Sequence, residues 1–163
     1  MEQIYFAGGC LWGVQEFIRH VPGVISTQAG RANGTSNRTD VGYDGYAECV
    51  QIDFNPEQIA LGELIECLFE IIDPYSINQQ GQDIGPKYRT GIYSRERKHL
   101  DEAHRILKSR ADYKQLAIEV LPLSNYVKSD DEHQDRLTLH PEDHSFCHIP
   151  LALLYKYKKA ANR

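Results

Sequence analysis

The sequence lacks the features that mark several large classes of protein. Its 163 residues carry a formal net charge of −5, so no broad attraction to nucleic acid is indicated. No apolar run approaches the roughly 20 residues of a membrane-spanning helix, and the start at Met1-Glu2-Gln3 has neither the basic nor the apolar stretch of a signal peptide. We therefore expect one domain, residues 1–163, that works in the cytoplasm without a membrane or nucleic-acid partner.

Cysteine is also scarce. The chain has four cysteines, and no two of them form a Cys-x-x-Cys pair: Cys10, Cys49, Cys67 and Cys147. Four scattered cysteines are too few for the disulfide framework of a secreted protein. Cys49 falls in a predicted strand and Cys67 in a predicted helix, so we interpret both as packing residues. In a reducing compartment, a disulfide in this chain is expected to be catalytic rather than structural.

An alternation of strand and helix patterns predicts an α+β fold. Strand patterns cover residues 3–7, 24–29, 46–54 and 89–93, and helical patterns cover about 10–20 and 61–72. This β-α-β-β-α-β order predicts a ferredoxin-like split βαβ plait, followed by one extra helix and one extra strand. We expect the core to span about residues 1–121 and an irregular C-terminal segment to span about 122–163.

Cys10 lies between the first strand pattern and the first helix pattern. The free N–H groups and the positive end of a helix favour a thiolate at such a junction. Gly8 and Gly9 allow a sharp turn with room beside the sulfur, and Trp12 can supply an aromatic wall. The pattern therefore predicts an activated nucleophile beside an apolar pocket, although a lone buried cysteine at a tight turn is a common structural alternative.

Glu48 has an unusual place in the strand predicted at 46–54. Side chains alternate between the two faces of a strand, and Glu48 shares the parity of Val50, Ile52 and Phe54. Partial desolvation in that row would raise the pKa of the carboxyl group and let it donate a proton near neutral pH. Two alternatives stay open: this end of the strand already lies in solvent, or Glu48 pairs with an arginine.

Four ordered motifs resemble those of the peptide-methionine sulfoxide reductases of the A type. The family's Gly-Cys-Phe-Trp-Gly is matched by Gly9-Cys10-Leu11-Trp12-Gly13, and its Gly-His-Ala-Glu by Gly45-Tyr46-Ala47-Glu48. Its Asn-x-Gln-Gly-x-Asp-x-Gly run, which ends in Tyr-Arg-Ser, corresponds to residues 78–90, and its His-Gln pair corresponds to His133-Gln134. The similarity covers most of residues 4–93 and is patchy afterwards.

The resemblance implies reduction of the S epimer of methionine sulfoxide, free or within proteins, on a ferredoxin-like plait. Cys10 would attack the sulfoxide sulfur and become a sulfenic acid. Cys147 would then condense with it to a disulfide, which thioredoxin or a similar dithiol protein would reduce. No metal or other cofactor is implied. The substrate contacts would be Trp12 and Leu11 as walls, Glu48 as proton donor, Tyr88 as hydrogen-bond donor and Asp83 as an organising residue.

The chain departs from the family pattern at informative positions. Leu11 replaces a phenylalanine, which thins the aromatic pocket, and Arg31 stands where the family has a tyrosine that hydrogen-bonds the sulfoxide. We hypothesise that Tyr46, on the same strand face as Glu48, supplies the missing donor. A family tyrosine before His133 is also absent, which leaves the role of that region open.

Two other functions compete with this interpretation. His140, His144 and His148 recur every four residues beside Cys147 and Asp143, which is a spacing that zinc sites use on helices. Pro141 interrupts that run, so the histidines are better read as surface residues. The second alternative is a cysteine hydrolase or acyltransferase in which Cys10 pairs with a histidine such as His133.

Overall fold

The structure is a computed structural model, and it describes residues 1–158. Eight strands and five α-helices lie within that part of the chain. The strands are β1 (Glu2–Gly8), β2 (Val24–Ala32), β3 (Ala47–Phe54), β4 (Gln79–Gln80), β5 (Asp83–Ile84), β6 (Thr90–Ser94), β7 (Ile118–Pro122) and β8 (Tyr126–Lys128). The helices are α1 (Leu11–Ile18), α2 (Leu61–Glu70), α3 (Arg97–Lys108), α4 (Arg136–Leu139) and α5 (Leu151–Leu154).

Six strands form the central sheet, in the order β7-β6-β1-β3-β2-β8. Its four inner strands are the predicted plait: β3 lies between β1 and β2 and is antiparallel to both, and β6 pairs antiparallel with the other side of β1. α1 connects β1 to β2, and α2 precedes β6. The extra helix α3 leads into β7, which adds to the sheet parallel to β6. The predicted fold is therefore confirmed.

The main core lies between one face of the sheet and the helices. Apolar residues at alternate positions of β1 and β3, such as Ile4 and Ile52, pack against Phe17 of α1 and Leu64 of α2. The opposite face buries Tyr5, Ala7, Cys49 and Tyr93, with Leu123 and Tyr126 packed over them. Because both faces are covered, the ends of β1 and β3 are held firmly where the site is built.

The C-terminal segment contains more structure than its sequence pattern indicated. β8 pairs with β2 and extends the sheet by one edge strand. The remaining elements are short, and three of their apolar residues, Leu137, Ile149 and Leu154, are buried in the main core. A three-residue strand is too short for its alternation to be recognised, and its pairing depends on β2, which lies about 100 residues earlier. No helix within residues 1–158 has both the length and the apolar character needed to cross a membrane.

Candidate active site

A cavity of about 340 Å³ lies where β1, α1 and β3 meet. It brings together seven of the eight residues that the sequence analysis assigned to catalysis or to contact with the substrate. Its lining consists of Cys10, Leu11, Trp12, Arg31, Tyr46, Glu48, Asp83, Lys87, Tyr88, Ser129, His133 and Phe146. The eighth predicted residue, Cys147, does not line this cavity, although its neighbour Phe146 does. The lining combines an apolar wall with neighbouring acidic and basic groups.

Cys10 is the N-cap residue of α1, directly after the turn that ends β1. Gly9 has a φ of +91°, and a Cβ at that position would come within 2.7 Å of Gln80 Cβ, so the turn requires glycine. The Trp12 backbone N–H donates a hydrogen bond to the sulfur, which lowers the pKa of the thiol. Burial and the nearby Glu48 carboxylate have larger effects and raise that pKa well above its usual range.

The expectation of a thiolate in the resting protein is therefore wrong. The helix N-terminus acts on Cys10 as expected, but its first N–H group, from Leu11, donates to Glu48 Oε1 at 3.2 Å rather than to the sulfur. Desolvation of the sulfur outweighs the remaining helix contribution. Cys10 is consequently held as a thiol until its proton can leave.

Glu48 faces the cavity from β3, and 15% of its side chain is exposed. Burial raises the pKa of this carboxyl group, while the Leu11 N–H and the Lys87 ammonium, 3.9 Å from Oε2, partly oppose the rise. Its ion-pair partner is this lysine and not an arginine. Arg31 is its direct cross-strand neighbour in β2, but the two charged groups do not form a salt bridge within the described residues.

Two phenols and a second carboxylate complete the polar side of the cavity. Tyr46 is buried just before β3, with its ring 4.9 Å from that of Tyr43 and under the Arg31 guanidinium. Tyr88 ends a 3-10 turn, and burial together with the Glu48 charge raises its pKa, so it stays a neutral hydrogen-bond donor. Asp83 lies in β5, and burial raises its pKa as well.

The apolar wall is an aromatic group centred on Trp12. Its indole Nε1–H donates to His133 Nδ1 at 3.0 Å, the Phe146 ring meets it edge-on at 6.5 Å, and the Arg136 guanidinium lies 5.0 Å from its ring centroid. His133 therefore orients the indole. Because the Nδ1 atom of His133 accepts the hydrogen bond from Trp12, this contact argues against a hydrolase in which Cys10 pairs with His133.

Sequence reasoning did not place Lys87, Ser129 and Phe146 in the site. Phe146 and Ser129 reach the cavity from the C-terminal segment, which carries no periodic pattern. Lys87 belongs to the matched motif over residues 78–90, and that motif was the only available signal. Gln134 explains the His-Gln pair: its side-chain amide exchanges two 2.8 Å hydrogen bonds with the Ala29 backbone and so anchors His133 to β2.

Cys147 follows the 3-10 helix Pro141–Phe146 and is a free thiol, as is Cys10. Its Sγ accepts a hydrogen bond from the Ile149 N–H at 3.4 Å. The sulfur also fills the space that a side chain at Gly13 would need, because a Cβ there would overlap it. Cys147 thus packs against Gly13 in the first turn of α1. Gly13 lies three residues after Cys10 in the chain.

The histidines of the C-terminal segment do not converge as a zinc site would require. His144 Nε2 lies 2.7 Å from the Ile149 carbonyl oxygen, and His148 Nε2 lies 2.9 Å from that of Ile71. Within residues 1–158, the one group of three ligand atoms mutually within 4.8 Å is Glu2, Glu96 and His99. Lys98 Nζ lies 3.5 Å from Glu2 and 3.7 Å from Glu96, so both carboxylates of that cluster already pair with a side-chain cation.

Comparison with known proteins identifies the family. The sequence matches the family model described as peptide methionine sulfoxide reductase over residues 2–162. The chain belongs to the peptide methionine sulfoxide reductase family. The resemblance that the motifs indicated is therefore confirmed over nearly the whole chain, including the part beyond residue 93 in which the motifs are patchy.

Solved structures agree with this assignment. Reduced Mxr1 from Saccharomyces cerevisiae is 29% identical, with a TM-score of 0.79 and 86% of each chain covered. Methionine sulfoxide reductase A of Corynebacterium diphtheriae is 31% identical, with a TM-score of 0.78 over 86% of this chain and 75% of that one. Mxr1 in complex with Trx2 is 25% identical, with a TM-score of 0.59 over 83% and 84% of the two chains.

Family and structure together confirm the predicted reaction class. The chain is a thiol-dependent reductase of methionine sulfoxide. Neither the zinc-binding alternative nor the hydrolase alternative is favoured by these findings.

Proposed function

We propose that the enzyme reduces the S epimer of methionine sulfoxide with Cys10 as nucleophile, Glu48 as proton donor and Cys147 as resolving thiol. The observation that supports these roles is the shared position of Cys10 and Glu48 at the start of α1, in one cavity with an aromatic wall. Trp12 and Leu11 would enclose the substrate's S-methyl group, and Tyr88 and Tyr46 would donate hydrogen bonds to its oxygen. Asp83 would organise the polar side.

In the first step, the Cys10 sulfur attacks the sulfoxide sulfur. A sulfoxide is a poor electrophile until its oxygen is protonated, and the attacking thiol must lose one proton. Glu48 can meet both needs, because a carboxyl group with a raised pKa exchanges protons readily near neutral pH. The thiol proton reaches the sulfoxide oxygen through this carboxyl group, the oxygen passes to Cys10, and methionine leaves. The products are methionine and a Cys10 sulfenic acid.

In the second step, Cys147 attacks the Cys10 sulfenic acid. The sulfur–sulfur bond forms, and the hydroxyl group leaves with the Cys147 proton as water. The packing of Cys147 against Gly13 places the second thiol beside the helix turn that carries Cys10. The two sulfurs are separate in this structure, so this step requires the segment around Cys147 to move.

A dithiol protein would complete the cycle by thiol–disulfide exchange. Mxr1 of Saccharomyces cerevisiae has been solved in complex with Trx2, and we extend to this chain the use of thioredoxin or a similar reductant. The proposal includes a cytoplasmic location, where thiols are kept reduced. Residues 1–163 would act as one domain, because Leu137 and Ile149 of the C-terminal segment are buried in the same core as α1.

One experiment tests these roles together. One equivalent of methionine (S)-sulfoxide is added to the reduced enzyme without any reductant. We expect one methionine per chain, the loss of two thiols, and a Cys10–Cys147 linkage in peptides analysed by mass spectrometry. The R epimer should give no methionine. A Cys10→Ser variant that still forms methionine at the native rate would contradict the proposal, and a constant thiol count would favour a hydrolase.

A further inference from the structure

Arg31 is a cation in the cavity that the reaction scheme above does not use. It lies in β2 directly opposite Glu48 of β3, so the two side chains leave the same face of the sheet. The guanidinium carbon lies 4.5 Å from the centroid of the Tyr46 ring, a cation–π contact that fixes the group without using its N–H donors.

The guanidinium N–H groups of Arg31 have no acceptor within residues 1–158. No carboxylate there forms an ion pair with the guanidinium, and no carbonyl or hydroxyl oxygen accepts a hydrogen bond from it. The second cation of the cavity, Lys87, pairs with Glu48 while that carboxyl group is ionised, and its ammonium group lacks the planar pair of donors that Arg31 offers. A half-buried guanidinium that faces a cavity with free donors is suited to a planar anion, and a carboxylate matches two of its N–H groups at once.

The charge of the cavity changes in the direction that favours such a ligand. Arg31 and Lys87 are opposed by Glu48 and Asp83 while both carboxyl groups are ionised. In the form that protonates the sulfoxide, Glu48 is neutral, and the cavity then has one positive charge in excess. An anionic group on the substrate would balance that charge at the point where the chemistry occurs.

We propose that Arg31 binds a carboxylate of the substrate and makes the enzyme selective for methionine sulfoxide whose own main-chain carboxylate is free. This inference rests on the proposed function of the same cavity. The carboxylate of free or C-terminal methionine sulfoxide lies about 5 Å from its sulfur, and Arg31 and Glu48 are direct cross-strand neighbours on one face of the sheet. The sulfoxide oxygen can therefore meet Glu48 while the carboxylate meets Arg31.

The test compares two substrates that differ in one charge. These are N-acetyl-methionine (S)-sulfoxide, which has a free carboxylate, and its C-terminal amide, which does not. For the native enzyme we expect kcat/KM for the acid to exceed that for the amide by at least about tenfold, as charge-assisted hydrogen bonds typically allow. In Arg31→Met this ratio should fall to about one, through loss of activity on the acid alone, and Arg31→Lys should give an intermediate ratio.

Two controls make the outcome specific. Arg97→Met removes an arginine whose side chain is 91% exposed on α3, and its ratio should equal the native one. A neutral-capped peptide with an aspartate beside an amidated methionine sulfoxide tests the other source of a carboxylate, and it should gain nothing from Arg31.

Three results would overturn the inference. The first is a native acid-to-amide ratio of kcat/KM near one. The second is an equal loss of kcat/KM on acid and amide in Arg31→Met, which would place Arg31 on the sulfoxide oxygen. The third is an Arg31-dependent advantage for the aspartate peptide alone. In each of these cases the native enzyme still reduces the amide. If it reduces neither the acid nor the amide, the proposed function itself fails.

Discussion

The cavity and the segment that carries Cys147 are built in different ways. Cys10 and Glu48 extend from elements whose adjoining residues, Ala7, Leu11 and Ala47, are buried between sheet and helices. By contrast, every side chain between the buried residues Leu137 and Ile149 is exposed or half-buried. That stretch contains the end of α4, the single 3-10 helix Pro141–Phe146, and then Cys147 and His148, which lie outside any helix or strand.

This difference matches the two chemical steps. Few buried apolar contacts mean a small free energy of local opening, so residues 138–148 can rearrange without unfolding the plait. In the proposed mechanism, the attack on the sulfoxide uses a geometry that is set in advance, whereas disulfide formation uses a segment that must move. Phe146 links the two regions, because it lines the cavity and directly precedes Cys147. A displacement of Cys147 would therefore also change the wall against Trp12.

The largest expected effect separates the two steps completely. Cys147→Ser should form one methionine per chain at the native rate and then stop, because the sulfenic acid lacks its partner thiol. Steady-state turnover with thioredoxin should fall by on the order of 10³-fold, while the first turnover, followed by methionine release after rapid mixing, stays unchanged. Cys67→Ser is the matched control, since Cys67 is buried in α2 away from the cavity. Loss of thioredoxin-linked turnover in that control would contradict the assignment of Cys147.

Glu48→Gln should affect the cavity and the first step, which is the attack on the sulfoxide. We expect the first turnover to slow by about 10²- to 10³-fold near neutral pH, because an amide cannot deliver the proton. The native first-step rate should decline as pH rises through the raised pKa of Glu48, where the carboxyl group loses its proton.

The pH profile of the variant should have the opposite slope. The Glu48 carboxylate raises the pKa of Cys10, so removing its charge lowers that pKa and favours the thiolate at higher pH. The first-step rate of Glu48→Gln should therefore rise with pH. Rapid-mixing measurements of methionine release between pH 6 and 10 would check this, and an alkaline decline that persists in the variant would exclude Glu48 as the donor.

The hydroxyl groups of Tyr46 and Tyr88 provide the next test of the cavity. Tyr46→Phe should lower kcat/KM of the first step by about 10- to 100-fold if its hydroxyl group donates to the sulfoxide oxygen in the transition state. The phenylalanine ring keeps the contact with Arg31, so a change in acid-to-amide preference is not expected. Tyr88→Phe is the companion variant, and the double variant shows whether the two donors act on one oxygen. Unchanged kinetics in Tyr46→Phe would eliminate the hypothesis that it replaces the family's tyrosine.

The sequence predicted the cavity better than it predicted the moving segment, for a physical reason. Strand alternation placed Glu48 on the core-facing side of β3, and the motif around Cys10 placed the thiol at a helix start. Both patterns are local, and both elements lie in the plait. Phe146 and His133 reach Trp12 over more than 120 residues of chain, and no local period encodes such a contact.

The prediction of a thiolate at Cys10 was wrong because two local effects compete. A helix N-terminus stabilises the anion, and the local sequence pattern predicts that helix start directly. Desolvation and the neighbouring Glu48 charge destabilise it more strongly, and both depend on how β3 packs beside α1. Burial of a particular atom follows from tertiary packing, which a motif does not report.

The smallest expected effect tests the contact between the two regions. Gly13→Ala adds a methyl group where Cys147 Sγ now lies, so the sulfur must move away from α1. Alanine favours the helix by up to about 1 kcal/mol, and the cavity side of the turn is unchanged, so the first step should stay within about twofold of native. Disulfide formation, followed by thiol loss after one turnover, should slow on the order of fivefold.

Gly62→Ala provides the matched control for this variant. Gly62 is also a helical glycine, but a Cβ there would make only one contact, with Ile106 Cδ1 at 3.4 Å. We expect neither step to change in it. If Gly13→Ala forms the disulfide at the native rate, the resting contact with α1 does not prepare Cys147 for attack, and the segment must reach Cys10 from another position. If instead the first step slows, the two regions are coupled through α1 more tightly than their separate construction implies.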